Sequence, residues 1–224
     1  YAGERVNGSS FTLTNSTNQT KINRAERRIG KELGTRYTAE ASAPADSETA
    51  TPEVTVVFTL SGTVNKDCSF YAGNNADARN IDFGVIGVRT GDNENVNNAF
   101  EMVGPAEAAI ETLTAGCNFN NEVVITKDNA AGMVNNAAGG YDTDEFQANI
   151  PYNVTAAWTG VAFNTVAAGS PQSLALSETD LAGTLQQGAW RSDMTIDIVA
   201  PAINTRGLVA GEYTGTTTLT LRAL

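Results

Sequence analysis

The chain has 224 residues, of which 41% are hydrophobic, enough for a core and too many for a disordered protein. It contains no His, which removes histidine triads, histidine general bases and histidine metal ligands together, and no apolar run approaches the ~18 residues of a membrane span. A formal charge of −11, from 14 basic and 25 acidic residues, argues against a general binder of nucleic acid or anionic membranes.

Charged residues make up only 17% of the chain, below the roughly 25% of ordinary soluble domains. Polarity comes from 22 Asn and 28 Thr, with 21 Gly beside them. Threonine suits pleated, half-buried surfaces, and asparagine and glycine suit turns, so the composition predicts an all-β fold.

Residues 1–37 stand apart. They hold seven basic residues (Arg5, Lys21, Arg24, Arg27, Arg28, Lys31, Arg36) and three acids, a charge of +4. Residues 38–224, with seven basic and 22 acidic residues, carry −15. The segment is polar up to Thr20, with one short alternation at Phe11 and Leu13. Ile22, Ala25, Ile29 and Leu33 then recur at spacings of three and four, which predicts a short helix near residues 21–33 stopped by Gly34. Residues 38–52, with two prolines and little bulk, read as a linker, so residues 1–52 form an N-terminal arm and linker. A basic helix can sit on a membrane surface or on nucleic acid. The acidic remainder favours instead an arm docked on protein, in cis or on a neighbour.

From Val54 the period changes to two. Val54, Val56, Phe58 and Leu60 share one face, and the same parity continues through Gly62, Val64, Cys68 and Phe70. Further predicted strands are Ile81–Val88, Ala109–Thr114, Glu122–Lys127, Ala148–Trp158, Val161–Ala167, Met194–Val199 and Tyr213–Leu221, separated by turn-rich stretches. Seven or more short strands at this spacing predict a β-sandwich. Cys68 and Cys117, 49 residues apart without a CxxC or a third ligand, make zinc binding a poor reading. They are either two free thiols or, the preferred reading, one disulfide of an oxidising compartment. No signal peptide is visible at Tyr1, so the numbered chain reads as a mature form.

Little else carries chemistry. Asp142-Thr143-Asp144-Glu145 could offer hard oxygen ligands to calcium, but it lacks the glycine and distal glutamate of an EF-hand loop and reads as a solvated turn. Two carboxylates suffice to hydrolyse a glycoside, yet with 25 acids no pair stands out, and the chain reads as a non-enzyme with no cofactor and no metal. Trp158 lies on an alternating stripe from Ala148 and is expected in the core. Trp190, among Gln and Arg, is the better candidate for an exposed sugar-stacking platform.

The stretch from Val54 to Leu224 resembles the pilin subunits of chaperone–usher pili, in particular the archaic branch related to spore-coat-U-like domains. Four patches carry the resemblance: the alternating strand ending in Cys68-Ser69-Phe70; Ile81-Asp82-Phe83-Gly84-Val85-Ile86; Leu113-Thr114-Ala115-Gly116-Cys117 followed by Glu122–Lys127; and Ala210-Gly211-Glu212-Tyr213-Thr214-Gly215 running into Thr216–Leu221. The resemblance implies an incomplete immunoglobulin-like β-sandwich over residues 62–224, with Cys68 bonded to Cys117. A donor strand at residues 53–61 would enter the groove of another subunit through Val54, Val56, Phe58 and Leu60. Tyr213, Leu219 and Leu221 would form the edge of the acceptor groove, since only three residues follow the last strand in the sequence. The implied partners are identical subunits in a homopolymer, with a periplasmic chaperone and an outer-membrane usher during assembly, and neither nucleic acid nor a membrane. The implied place is an extracellular, cell-surface filament. Residues 1–37 would act as an inter-subunit arm, laying Ile22, Ile29 and Leu33 on a neighbour while Arg24, Arg27, Arg28 and Lys31 face its acidic surface. The alternative is a secreted, non-polymerising carbohydrate-binding or tip-adhesin module of similar architecture. A third is a β-sandwich enzyme with two carboxylates.

Overall fold

The structure is a computed structural model; it describes residues 52–72, 79–90 and 98–224, together with the backbone of two strands within residues 2–13. Every regular element of any length among these residues is a β-strand, as the composition predicts. The chain divides into two units, residues 1–61 and 62–224. In the first, β1 (Ala2–Val6) and β2 (Ser9–Leu13) pair antiparallel, from Ala2 opposite Leu13 to Val6 opposite Ser9. The dipeptide between them is Asn7-Gly8, the pair most favoured in two-residue hairpins, a signal stronger than the Phe11/Leu13 alternation. The helix expected near residues 21–33, and with it the candidate arm residues from Ile22 to Leu33, lies outside the described residues.

The second unit has two main antiparallel sheets. One has five strands in the order β10 (Ser170–Leu176), β9 (Asn153–Gly160), β12 (Trp190–Ala200), β4 (Ala106–Cys117), β3 (Cys68–Phe70). The other has three, in the order β11 (Ala182–Gln187), β5 (Asn121–Lys127), β14 (Thr217–Ala223). Two-residue pieces complete the set: β6 (Met133–Val134) with β8 (Asn149–Ile150), and β7 (Phe146–Gln147) parallel to β13 (Gly207–Leu208). The alternation explains the layering. Val123 and Ile125 of β5 face Val154, Ala156 and Trp158 of β9 and Met194 and Ile196 of β12 in one shared apolar core. Two sheets facing across one core fit a β-sandwich.

Four of the further predicted strands needed correction. Ile81–Val88 forms no strand: Gly84 takes φ +63°, its amide donates to Asp82 Oδ1 at 2.8 Å, and Val85 is turned fully outward, so the apolar alternation is spent on a bend. Val161–Ala167 is a tight turn, closed by the Thr165 amide donating to Ala162 O at 3.2 Å, with Asn164 at φ +55°. Ala148–Trp158 is cut at Pro151, which has no N–H to continue a ladder, and its two halves join different sheets. Tyr213–Leu221 becomes a strand only at Thr217. Two strands, β10 and β11, are absent from the sequence reading because Ser170-Pro171-Gln172-Ser173 and Thr184-Leu185-Gln186-Gln187 are too polar to stand out.

Cys68 and Cys117 sit directly opposite one another in β3 and β4 and form the expected disulfide, with Cα atoms 4.0 Å apart. Cross-linking a loop of this length stabilises a fold by about 4 kcal/mol on the chain-entropy model. Gly116 beside it takes φ +146°, and a side chain there would collide with the Trp190 carbonyl.

Candidate functional site

The two sheets meet unevenly. On β5 the inward side chains Val123 and Ile125 are sealed, with at most 1% of their surface exposed. On β14, the next strand of the same sheet, Thr217, Leu219 and Leu221 point inward and stay only half-buried. The same fading runs along β4, where Thr112 and Ala115 are buried but Ala106, Ala108 and Ile110 are not. A strip of core is therefore open between β14 and the edge of the five-stranded sheet.

That strip is a groove of about 1080 Å³. One wall is Gly215 and Thr216 with β14 as far as Leu221; the other is Cys68–Ala72 with Arg79–Phe83; and the floor includes the core residues Ile125, Tyr152, Val154 and Ile196, with Ile198 beside them. It continues past Ile81, Asp82 and Phe83 into a second hollow of about 740 Å³ lined by Tyr213 and Met133 among others. The three residues expected at the groove edge thus divide: Leu219 and Leu221 line the larger hollow, and Tyr213 the smaller. The opposite wall, Tyr71 and Arg79–Phe83, and the floor were missed. The sequence reading made Ile81–Val88 and Ala148–Trp158 strands, but their residues become wall and floor of a groove only through long-range pairing, such as that of β3 with β4.

β14 is an edge strand, so its outer row of backbone N–H and C=O groups has no ladder partner among the described residues. β3 covers the other side with just three residues, stapled by the disulfide and by Thr112 Oγ1 donating to Tyr71 O at 2.8 Å. Tyr152 secures the floor: its hydroxyl shares a hydrogen bond of 3.0 Å with Thr217 Oγ1, and burial pushes its pKa up. Tyr213 turns the corner into β14, its hydroxyl donating to Val209 O at 2.6 Å; burial raises its pKa as well.

The expected donor residues are described and lie in the open. Val54 is 73% exposed, Val56 63%, Phe58 80% and Leu60 90%, and residues 53–61 belong to no strand. No family model matches this chain, and no curated protein is significantly similar to it.

The remaining candidates resolve more simply. Trp190, expected as the exposed tryptophan, is buried; it stacks on Trp158 with centroids 5.4 Å apart and donates to Asn121 Oδ1 at 3.0 Å. Its neighbours Gln187 and Asn121 are polar but buried, Gln187 Oε1 accepting from Trp158 Nε1 and Asn121 Nδ2 donating to Gly188 O, which is why the flanking Gln misled. Within Asp142–Glu145, Asp142 Oδ1 accepts the Asp144 amide at 2.9 Å, an Asx turn.

Proposed function

We propose that this protein is a structural subunit, not an enzyme, that polymerises by strand exchange into an extracellular filament. The observation that carries the reading is a mismatch within one chain: an open apolar groove beside a strand edge unpaired among the described residues, and an alternating apolar segment whose side chains are 63–90% exposed. Exposed apolar surface and unpaired backbone are both costly in water. An extended segment laid along β14 satisfies both, giving backbone hydrogen bonds and placing alternate side chains in the groove. Burial of Val54, Val56, Phe58 and Leu60 contributes on the order of 6–12 kcal/mol before ordering costs.

A donor from one copy entering the groove of the next is a heterologous contact that does not close on itself, so it propagates as a filament. The tyrosine corner at Tyr213 supports an immunoglobulin-like sandwich, and the edge of β14 is where a strand from another subunit would add. A groove of this kind needs a temporary occupant before assembly, the part of the periplasmic chaperone, with an outer-membrane usher exchanging it for the next subunit. The basic residues 1–37, carried upstream of the donor strand into a neighbour's territory, serve as the inter-subunit arm on its acidic surface. With both tryptophans buried, the alternative of a sugar-binding module is left without its platform.

Phe58→Asp tests the proposal, because a carboxylate cannot be buried unpaired. The variant body is expected to fold and bind chaperone while polymerisation is abolished. Normal filaments would overturn the donor assignment. In the same assay, deletion of residues 1–37 is expected to give filaments that form but dissociate at lower denaturant; parental stability would remove the arm.

A further inference from the structure

The end of the body from which residues 53–61 depart is unusually well made. Asn118 grips the departing chain, its Nδ2 donating to Asn65 O at 2.8 Å and its Oδ1 accepting the Asp67 amide at 2.9 Å. Lys66 Nζ donates to Leu224 O at 2.9 Å and lies 4.0 Å from the centre of the Phe119 ring. Two turns meet there: Asn164 N donates to Asn120 Oδ1 at 3.2 Å, and Asn120 Nδ2 to Asn164 Oδ1 at 3.5 Å. Each asparagine follows a phenylalanine, so the cross-tie holds Phe119 and Phe163 at the surface, 42% and 43% exposed, with Val166 wholly exposed three residues after Phe163. Asn164 adopts positive φ at the third position of its turn, a conformation asparagine tolerates. Ordered turns that present aromatics to water call for a partner.

We propose that these turns form a second subunit–subunit contact, packing Phe119, Phe163 and Val166 on the far end of the next copy of this chain. The inference rests on the strand-exchange reading. Between Leu60 and the gripped Asn65 lie four residues, which span at most about 14–18 Å. A neighbour that holds residues 54–60 is therefore tethered against this end at high effective concentration. The near end is also where β14 finishes, at Ala223. A segment entering antiparallel to a neighbour's β14 brings the neighbour's far end to the donor's body; parallel entry would bring its near end, where its own residues 62–67 leave.

Charge agrees. The near-end segments 62–67, 118–120, 161–169 and 188–189 hold one Lys and one Asp, whereas far-end segments 128–132, 135–148, 177–181 and 201–216 hold seven acids and one Arg. Two acidic ends would repel, and a neutral apolar end carrying Lys66 against an acidic one does not.

The test compares filaments of the full chain with those of the combined variant Phe119→Ser, Phe163→Ser, Val166→Ser, with Phe58→Asp as the control for strand exchange. All three positions are exposed, and an unchanged thermal midpoint of the monomer checks the fold; Val166→Asp alone serves if the combined variant does not fold. The expected result is filaments of parental yield whose persistence length, read from electron micrographs, falls severalfold. Parental stiffness overturns the contact while leaving strand exchange intact. Polymerisation of Phe58→Asp overturns both readings.

Discussion

The two long edges of the body close in opposite ways. On one, β10 turns directly into β11, and the sheets are fastened by a buried lysine: Lys127 Nζ donates to Tyr152 O and Ser177 O, each at 2.8 Å, and to Glu178 O at 3.2 Å. Burial pulls the Lys127 pKa down, and the charges of Asp180 and Glu178 push it back up. The turn is itself pinned, Ser177 N donating to Asp180 Oδ2 at 2.8 Å. On the other edge, β14 and β3 share no hydrogen-bonded ladder, and a groove opens into the core between them. One chain thus builds both a sealed edge and an unsealed one from similar strands. The difference lies in the connection: a five-residue turn covers the first edge, and nothing in the described body covers the second.

The largest expected effect concerns the open edge. Cys68→Ser with Cys117→Ser should lower stability by about 2–5 kcal/mol, or a thermal midpoint lower by roughly 5–15 °C, because the disulfide is the covalent tie of three-residue β3 to β4. Amide exchange should rise first at residues 68–72 and leave β10 and β11 protected. Uniform loss of protection would show that the disulfide does not act on one wall.

At the sealed edge, Lys127→Met should cost about 2–4 kcal/mol, since three carbonyls lose a charged donor. Its signature is faster exchange in the 177–181 turn without loss of the groove. A cost near zero in denaturant titration would mean that water replaces the ammonium, and that the seal is apolar.

Asp180→Asn should have the smallest effect and the most specific. Hydrogen bonds from the Ser177 amide and then its hydroxyl hold the Asp180 carboxyl below the ordinary range, with the Lys127 charge adding less. Its folded pKa is therefore lower than its unfolded one, near 3.9, so its stabilisation is present above that value and is lost as pH falls through the folded value. Parent and variant should differ most above the unfolded value and converge only once pH has fallen below the folded one. A gap independent of pH would exclude the carboxylate.

The comparison of edges also separates what was legible in the sequence from what was not. The composition and the period-two runs at residues 109–114, 122–127 and 194–199 determined the all-β fold and the inward faces, because alternation records local geometry and burial together. They also marked Val54, Val56, Phe58 and Leu60 as one apolar face. Alternation misled where backbone chemistry outranked it, at the Gly84 bend, at Pro151 and at the Asn164 turn. Trp190 and Lys127 were beyond local reading, because each is buried by partners 25 to 69 residues away. The groove is the clearest case. Leu219 alternates on β14 much as Ile125 does on β5, and whether such a side chain is sealed or left open depends on which strand lies beside it, a long-range fact that only the tertiary structure decides.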